Sequence, residues 1–498
     1  MSLQVNSLDS KKVRCFEICF LLFELFMWKK HRYFILMCIM GCKPPPEVSP
    51  SKYAPQSAST IWINSPKDER KLSHTLLKTI DPYKSSDSAA LHLLDLFQIG
   101  LVNNPQTQKT FFDSQIAAAA YGSSRSALYP NIKFDFMALR EKQGFVFINN
   151  EVLNIYTTTV GPEGLLSYNL IDFTRTPNID QYFFELLSRN WTHNQQIQEL
   201  LKNICNSYYN YLYQKSLLEA FNSDLIDAQA TYTASKEKFE IGINDMTDLM
   251  QAKSRFLQKK INVTSQEAVV KNSLVSLSTI LGISGQSDLN VLGFPDPKTI
   301  EANFYNAQEL LDVAQQARAD LRSLKAQIQQ RKAEIKKAQG NRYPLVDLKG
   351  SFGQFWFNGG VTDNGNWSVQ LDVTIPIFTG YDLVNKVRQA QAALKQSQSV
   401  LEQLQLQIIS EVMKAYNDLL SAQQQLIYTG QYLEASQIDY KGAYEGYITG
   451  TKDILDVLNA QASLSDARAK QAEAIRSYFD AKANLTFAIG TMNKNEAP

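Results

Sequence analysis

The sequence predicts a mainly α-helical chain with a small β portion, and three observations predict it. Between 381 and 447 there is neither proline nor a turn cluster, and only three glycines, Gly430, Gly442 and Gly446. At about 1.5 Å per residue such a helix reaches roughly 100 Å, longer than a globular core needs. Along it Val387, Leu394, Leu401, Ile408, Ala415 and Ala422 recur every seven residues, the seam of a coiled coil. The third observation is a duplication. Phe239, Gly242, Asp248, Leu249 and Ala252 match Tyr447, Gly450, Asp456, Val457 and Ala460 at a constant offset of 208. Tyr208, Leu277 and Gly282 match Tyr416, Leu485 and Gly490 at the same offset, and Tyr129-Pro130 answers Tyr343-Pro344 at 214. An internal repeat constrains architecture before any single element does.

Taken in order, the chain opens with a targeting signal. Trp28-Lys29-Lys30-His31-Arg32 is a basic region, 33–40 a short apolar one, and Ile39-Met40-Gly41-Cys42 resembles a bacterial lipobox, in which Cys42 is lipidated and becomes the new N-terminus. Residues 1–26 fit poorly before it, because Glu17 and Glu24 interrupt the apolar run, so Met27 is read as the start. The alternative is an uncleaved anchor with Cys42 an ordinary thiol. The organisation read from the sequence is a signal segment 1–41, then a lipidated N-terminus and extended Pro-, Ser- and Lys-rich tether 42–90. A first strand–helix repeat 91–283, a linker 284–302, a second repeat 303–492 and a tail 493–498 follow. Cys205 alone remains in the mature chain outside the lipid site, on a helical stripe, so no intrachain disulfide is expected.

Each repeat opens with short helices. In the first, helices end near Asn103-Asn104-Pro105 and near 128, and Pro130 forces Tyr129 out of helical geometry. Ile132, Phe134, Phe136 and Ala138 then alternate with Asn131, Lys133, Asp135 and Met137, a strand with one apolar face, and 165–173 is the return strand. The residues between, 140–164, read as a long outward loop. In the second repeat a helix over 320–342 leads to a strand face of Val346, Leu348, Gly350, Phe352 and Trp356. Glycines and Asp363-Asn364-Gly365 turn the chain. Trp367, Val369, Leu371, Val373 and Ile375 then oppose Ser368, Gln370, Asp372 and Thr374. About ten such residues cross a tilted bilayer path. Four strands cannot close a barrel, and an open edge in lipid leaves N–H and C=O groups unpaired, so association must supply the rest. A soluble sandwich is the alternative for the same strands. Long helices return in pairs, 181–240 with 248–281 and 381–447 with 454–489. Gly450 is suited to the left-handed turn between the second pair, and Thr451 or Asp453 to capping the next helix. The linker 284–297 is expected to join a belt around the helices.

Near-neutral net charge (+1) argues against a nucleic-acid surface. Four histidines without a His/Cys cluster leave little for a metal site, and no cofactor is expected. No GxSxG, P-loop, GxGxxG or HExxH motif is present, so no enzyme is read.

GTKDILDVLNA (450–460), WSVQLDVTIPIFTGY (367–381) and LTFAIGT (485–491), in duplicate context, resemble the TolC-like outer-membrane efflux factors over 91–492. That resemblance implies a homotrimer with a twelve-stranded transmembrane β-barrel set on a long coiled-coil α-barrel. It implies a passive outer-membrane duct carrying drugs or other small molecules from an inner-membrane transporter and a periplasmic adaptor. Lipidated (palmitate-bearing) members resemble the drug-efflux subgroup, and Lys43 is not the Asp that retains lipoproteins at the inner membrane. The alternatives are a type I protein-secretion duct, a periplasmic adaptor, which needs one hairpin and a lipoyl-like domain, and a coiled-coil scaffold, which needs no alternating strands. By resemblance Asp456 points into the pore as a ring of three carboxylates. Asn459 stands where a second acid is frequent, and Lys452 where a basic residue helps hold the entrance closed. Their plain alternatives are a first-turn helix acid and a solvated turn lysine. Gly242 with Ile243 and Gly450 with Thr451 resemble the turns that dock an adaptor hairpin, or simply end helices. Trp356, Trp367, Phe352 and Phe378 are candidates for aromatic girdles.

Overall fold

The computed structural model describes residues 49–63, 91–146, 152–284, 289–294, 306–357, 361–362 and 365–492. Met27, the lipobox and Cys42 lie outside them. The duplication governs the rest. Helices α1 (Leu93–Asn103) and α2 (Pro105–Ser124) precede strands β1 (Asn131–Val146) and β2 (Val152–Ile171), then α3 (Arg175–Glu240) and α4 (Met246–Ile280). The second unit repeats this with α5 (Ala307–Ala317), α6 (Ala319–Gly340), β3 (Leu345–Gly353), β4 (Trp356–Phe357), β5 (Val361–Thr362), β6 (Asn366–Thr374), α7 (Asp382–Thr449) and α8 (Ile454–Ala488). α4 and α8 are each 35 residues long and stand 208 apart, and α1 and α5 are each 11 residues long and stand 214 apart. The six-residue difference in offset falls in the strand hairpin.

Both copies use the same close approach. Gly282 and Gly490, at φ +73° and +75°, end α4 and α8 against the start of α2 and α6. A Cβ on Gly282 would come within 2.6 Å of the Asn103 carbonyl, and one on Gly490 within 2.9 Å of the Arg318 backbone. Only glycine fits both the backbone and the space.

The core lies where short and long helices cross. Leu96, Phe97, Leu101, Leu201, Ile204, Leu277, Leu281, Leu321 and Ile408 are fully buried there. Each large apolar side chain so buried contributes about 1.5–3 kcal/mol. Cys205 is free and buried among them, and burial, with Asp480 nearby, pushes its thiol pKa up, so it stays a protonated apolar group. On α7, Val387, Ile408, Ala415 and Ala422 are buried and Leu394 and Leu401 half-buried, so the seven-residue stripe faces the packing helices. Linker residues 289–294 lie across the helices. Val291 bridges Leu91, the Tyr208 hydroxyl donates to the Leu292 carbonyl (3.1 Å), and Phe294 stacks with Tyr209 and Phe479.

Three expectations need correction. Most of 140–164 is strand rather than loop: β1 and β2 stay paired from Asn131↔Ser167 to Val146↔Val152. Thr157, Thr158, Thr159 and Val160 are β-branched and favour the pleat. Pro162, with no N–H to give, sits where β3 ends, and its carbonyl accepts from Gln354 N (3.1 Å). The strand carrying Phe352 also stops at Gly353, so Trp356 belongs to a separate short strand paired with Val160. Finally, part of the tether is not merely extended. Pro50–Tyr53 is a helical turn, and Asn194 pairs with both backbone groups of Trp62 (2.8 Å each), while Asn190 donates to the Tyr53 carbonyl (2.9 Å).

Candidate functional site

The four main strands run β1-β2-β3-β6, antiparallel throughout, with the β4–β5 hairpin beside β2. Paired residues share a face. One face carries Val346, Leu348, Phe352, Trp367, Val369, Leu371, Val373 and, by register, Ile132, Phe134, Phe136 and Leu166. Trp367, Val369, Leu371 and Val373 are all exposed, as are Phe134 and Phe136. The other face carries Asn131, Lys133, Asp135, Glu163, Ser167, Lys349, Ser368, Gln370 and Asp372. Its groups bond to each other, Lys349 to Asp372 (2.8 Å) and Ser351 to Ser368 (3.0 Å). A sheet with an exposed apolar face and a polar face of paired charges suits lipid on one side and water on the other. Aromatics bracket the apolar band: Trp356, Trp367 and Phe352 at one end, and Phe378, Tyr381, Phe173 and Tyr343 at the other, the last two 4.9 Å apart.

At the far ends of the long helices are two turns of the same build. Gly242 (φ +77°) and Gly450 (φ +82°) take the left-handed cap. Asp245 and Asp453 then accept from Asp248 N and Asp456 N, each at 2.9 Å. Asp456 returns the favour by accepting from Asp453 N (3.3 Å), a closed capping box, so part of its work is to start α8. Asp456 and Asn459 are exposed one turn apart, and Lys452 is exposed with its stem over Gly446, where a Cβ would meet it at 3.0 Å. Within one chain the structure therefore puts the three gate candidates on one tip, out in solvent. Ile243 and Thr451 are exposed beside their glycines, and a Cβ on either glycine would meet nothing within 4 Å.

What sequence reasoning missed is the joint between the tips. Lys238 donates to the Tyr447 carbonyl and lies over the Tyr447 ring (4.1 Å), and Asn244 donates to the Tyr447 hydroxyl (2.7 Å). Asp248 is half-buried at this joint. Burial, and the charges of Asp245 and Asp453, raise its pKa. Further from the tips, buried Asp224 accepts from Lys259 (2.8 Å), Arg468 (2.6 Å) and Ser465, and Asp227 also takes Arg468 (2.9 Å). One carboxylate thus ties α3, α4 and α8. A signal for it existed: Asp224 falls on the stripe of Ala228, Thr231 and Ser235, where a charge is out of place. Among the described residues no group of His, Cys, Asp and Glu could hold a metal.

A family model described as outer membrane efflux protein matches residues 96–283 and 310–491, one block for each copy of the repeat. The chain is 22% identical over 425 residues to outer membrane protein TolC of Escherichia coli, covering 83% of this chain and 85% of that one. It is 21% identical over 420 residues to the alkaline protease secretion protein AprF of Pseudomonas aeruginosa, covering 82% and 86%. The solved structure of the outer-membrane channel OprN superposes with a TM-score of 0.73 at 18% identity, over 80% of this chain and 90% of that one.

Proposed function

We propose, from the fact that this chain belongs to the outer membrane efflux protein family, how it works as the outer-membrane exit duct of an efflux or secretion system. It is a channel and not an enzyme. The observation that carries the reading is the two-faced sheet with β1 and β6 as open edges. In lipid those edges would leave a row of backbone N–H and C=O groups unpaired, at several kcal/mol each. Joining β6 of one copy to β1 of the next closes the set, and three copies give twelve strands. The helices support the same assembly. Leu406, Ile427, Tyr428 and Ile438 on α7, and Ile226 and Ile261 on α3 and α4, are exposed on one chain and want apolar neighbours.

In the trimer, Asp456 forms a ring of three carboxylates at the inner mouth. Asn459 leaves the next ring uncharged, and Lys452 reaches to a neighbouring hairpin. Like charges resist complete closure and favour cations. The turns at Gly242-Ile243 and Gly450-Thr451 receive a periplasmic adaptor, which links the duct to an inner-membrane transporter. Cys42 carries lipid, so the chain is anchored in the outer membrane as well as inserted in it. Small-molecule efflux is the first reading of the cargo, on the strength of the lipobox. Similarity to a protein named for protease secretion keeps protein export as the second. Purified full-length protein should form three-fold particles with a long helical stem and conduct ions in planar bilayers. A monomer that conducts nothing would overturn the reading.

A further inference from the structure

The β1–β2 hairpin is longer than a membrane crossing requires. β3 and β6 end their pairing at Gly353↔Asn366, level with Glu163, whereas β1 and β2 continue to Val146↔Val152. About ten residues of a tilted strand cross the apolar layer, so 139–146 and 152–159 stand beyond it. They stand on the side away from the helices, since the strands leave and rejoin the helices at the other end.

Register sorts the side chains of this extension. On the lipid-facing side β1 shows Ile132, Phe134, Phe136 and Ala138, and Ala138 pairs with Val160, which also pairs with Trp356. Past that level the same face changes character. Arg140 stands opposite Thr158, and Lys142 opposite Tyr156. Both cations are exposed, and the Lys142 ammonium lies 5.7 Å from the Tyr156 ring centre. Among the described residues of the hairpin every acid (Asp135, Glu141, Glu163) is on the opposite face, as is the remaining cation, Lys133. No ion pair of the described residues engages Arg140 or Lys142. They lie two and four residues past the apolar band, about 7 and 13 Å along the strand, the depth of headgroups rather than of hydrocarbon.

We propose that Arg140 and Lys142, with Tyr156 beside them, form a binding surface for phosphate-bearing lipid headgroups in the outer leaflet. The inference rests on the outer-membrane reading above. An arginine fork and an ammonium on one strand face, with no carboxylate of the described residues on that face, complement phosphate oxygens. The apolar band directly below seats the acyl chains of the same lipid. The face therefore reads continuously from hydrocarbon to phosphate.

The test uses full-length trimers in phosphatidylcholine nanodiscs with and without lipid A, with bound lipid measured by native mass spectrometry. Wild type should retain lipid A in preference to phosphatidylcholine, and Arg140→Gln/Lys142→Gln should lose that preference by about thirtyfold, the effect of two surface cations. Lys133→Gln, on the other face, should leave it intact, and Arg140→Lys/Lys142→Arg should keep most of it. Equal retention by wild type and the double variant would overturn the proposal. Single-channel conductance is recorded on the same samples. If every variant conducts and lipid A retention does not change, the lipid surface is wrong and the duct stands. If wild type does not conduct, the duct reading falls and this inference falls with it.

Discussion

Asp224 is the best place to ask what holds the helical stem together. Its side chain is 2% exposed, those of Lys259 and Arg468 14% and 20%. Breaking a buried pair by deleting one partner costs about 3–5 kcal/mol, chiefly because the other charge is left without compensation. Two features reduce that here. Arg468 keeps Asp227 at 2.9 Å, and both cations still reach some water. The expectation for Asp224→Ala is therefore a loss of about 2–3 kcal/mol per protomer. Asp466 provides the contrast: it pairs with Lys470 at 2.7 Å, but the two side chains are 48% and 55% exposed. Asp466→Ala should cost about 0.5 kcal/mol or less. The assay is denaturation of detergent-solubilised protein followed by helical circular dichroism. Asp224→Ala/Lys259→Ala should recover part of the loss, since the stranded ammonium is gone too. If Asp224→Ala costs no more than Asp466→Ala, the buried cluster does not brace the stem and the reasoning fails.

Asp480 gives a pH signature. Burial raises its carboxyl to about 6, against the pull of Arg476 at 3.1 Å. An unfolded aspartate titrates near 4, so the folded chain binds this proton more tightly; its stability contribution is present at low pH and is lost as pH rises from about 4 to about 6. Asp480→Asn should thus stabilise by about 1–3 kcal/mol at neutral pH and by almost nothing near pH 4; a gain independent of pH would count against it. Asp456→Ala should lower cation preference a few-fold, because the ring of carboxylates at the constriction is gone; unchanged single-channel behaviour in intact trimers would exclude the ring. Gly450→Trp should leave trimers folded, since the site is open apart from about 1 kcal/mol of left-handed strain, yet abolish cross-linking to the adaptor. Cross-linking at normal yield would place docking elsewhere.

The duplicated turns were legible because their causes are local. A glycine at a helix end, an aspartate three residues on and an apolar restart need no distant partner, and they mark where α3 and α7 stop and α4 and α8 begin. The strand faces were legible for the same reason, since alternation needs only the pleat. The length of β1–β2 was not. Gly161-Pro162-Glu163-Gly164 reads as a turn on its own, and only the pairing with β1, and with β3 from Glu163 on, holds it straight. Asp224 could be suspected as misplaced, but its partners could not be named, because helical phase drifts over an element of 66 residues. The Lys238–Tyr447 joint spans the two repeats, and no local pattern pairs a lysine with a carbonyl some two hundred positions away.

Residue size along the seams bears on how the tips work. From Ile197 to Leu212 the buried face of α3 is Ile, Leu and Tyr with Cys205 among them; from Asp224 to Ser235 it is Asp, Ala, Thr, Ala and Ser. α8 shows a shallower form of the same gradient: Tyr478, Phe479 and Leu485 stand among Ala481, Ala483 and Ala488 at one end, and Leu464 is the one large apolar group among Ala460, Ala467, Ala472 and Ala474 toward the other. A small cluster at the tip itself, Tyr447, Ile454, Val457 and Leu458, brings larger groups back. Replacing a buried leucine by alanine removes about 2–5 kcal/mol in a core, so a seam of small residues holds its helices more weakly per turn and lets them slide at close range. The stem should therefore open from the tips while the crossing region stays shut. Amide hydrogen exchange on native trimers tests this directly. Protection over 197–212 and 475–488 should exceed that over 224–260 and 440–470. Equal protection would mean that tight contact between small residues compensates for their size, and the tips would then need their partner, rather than their own weak packing, to move.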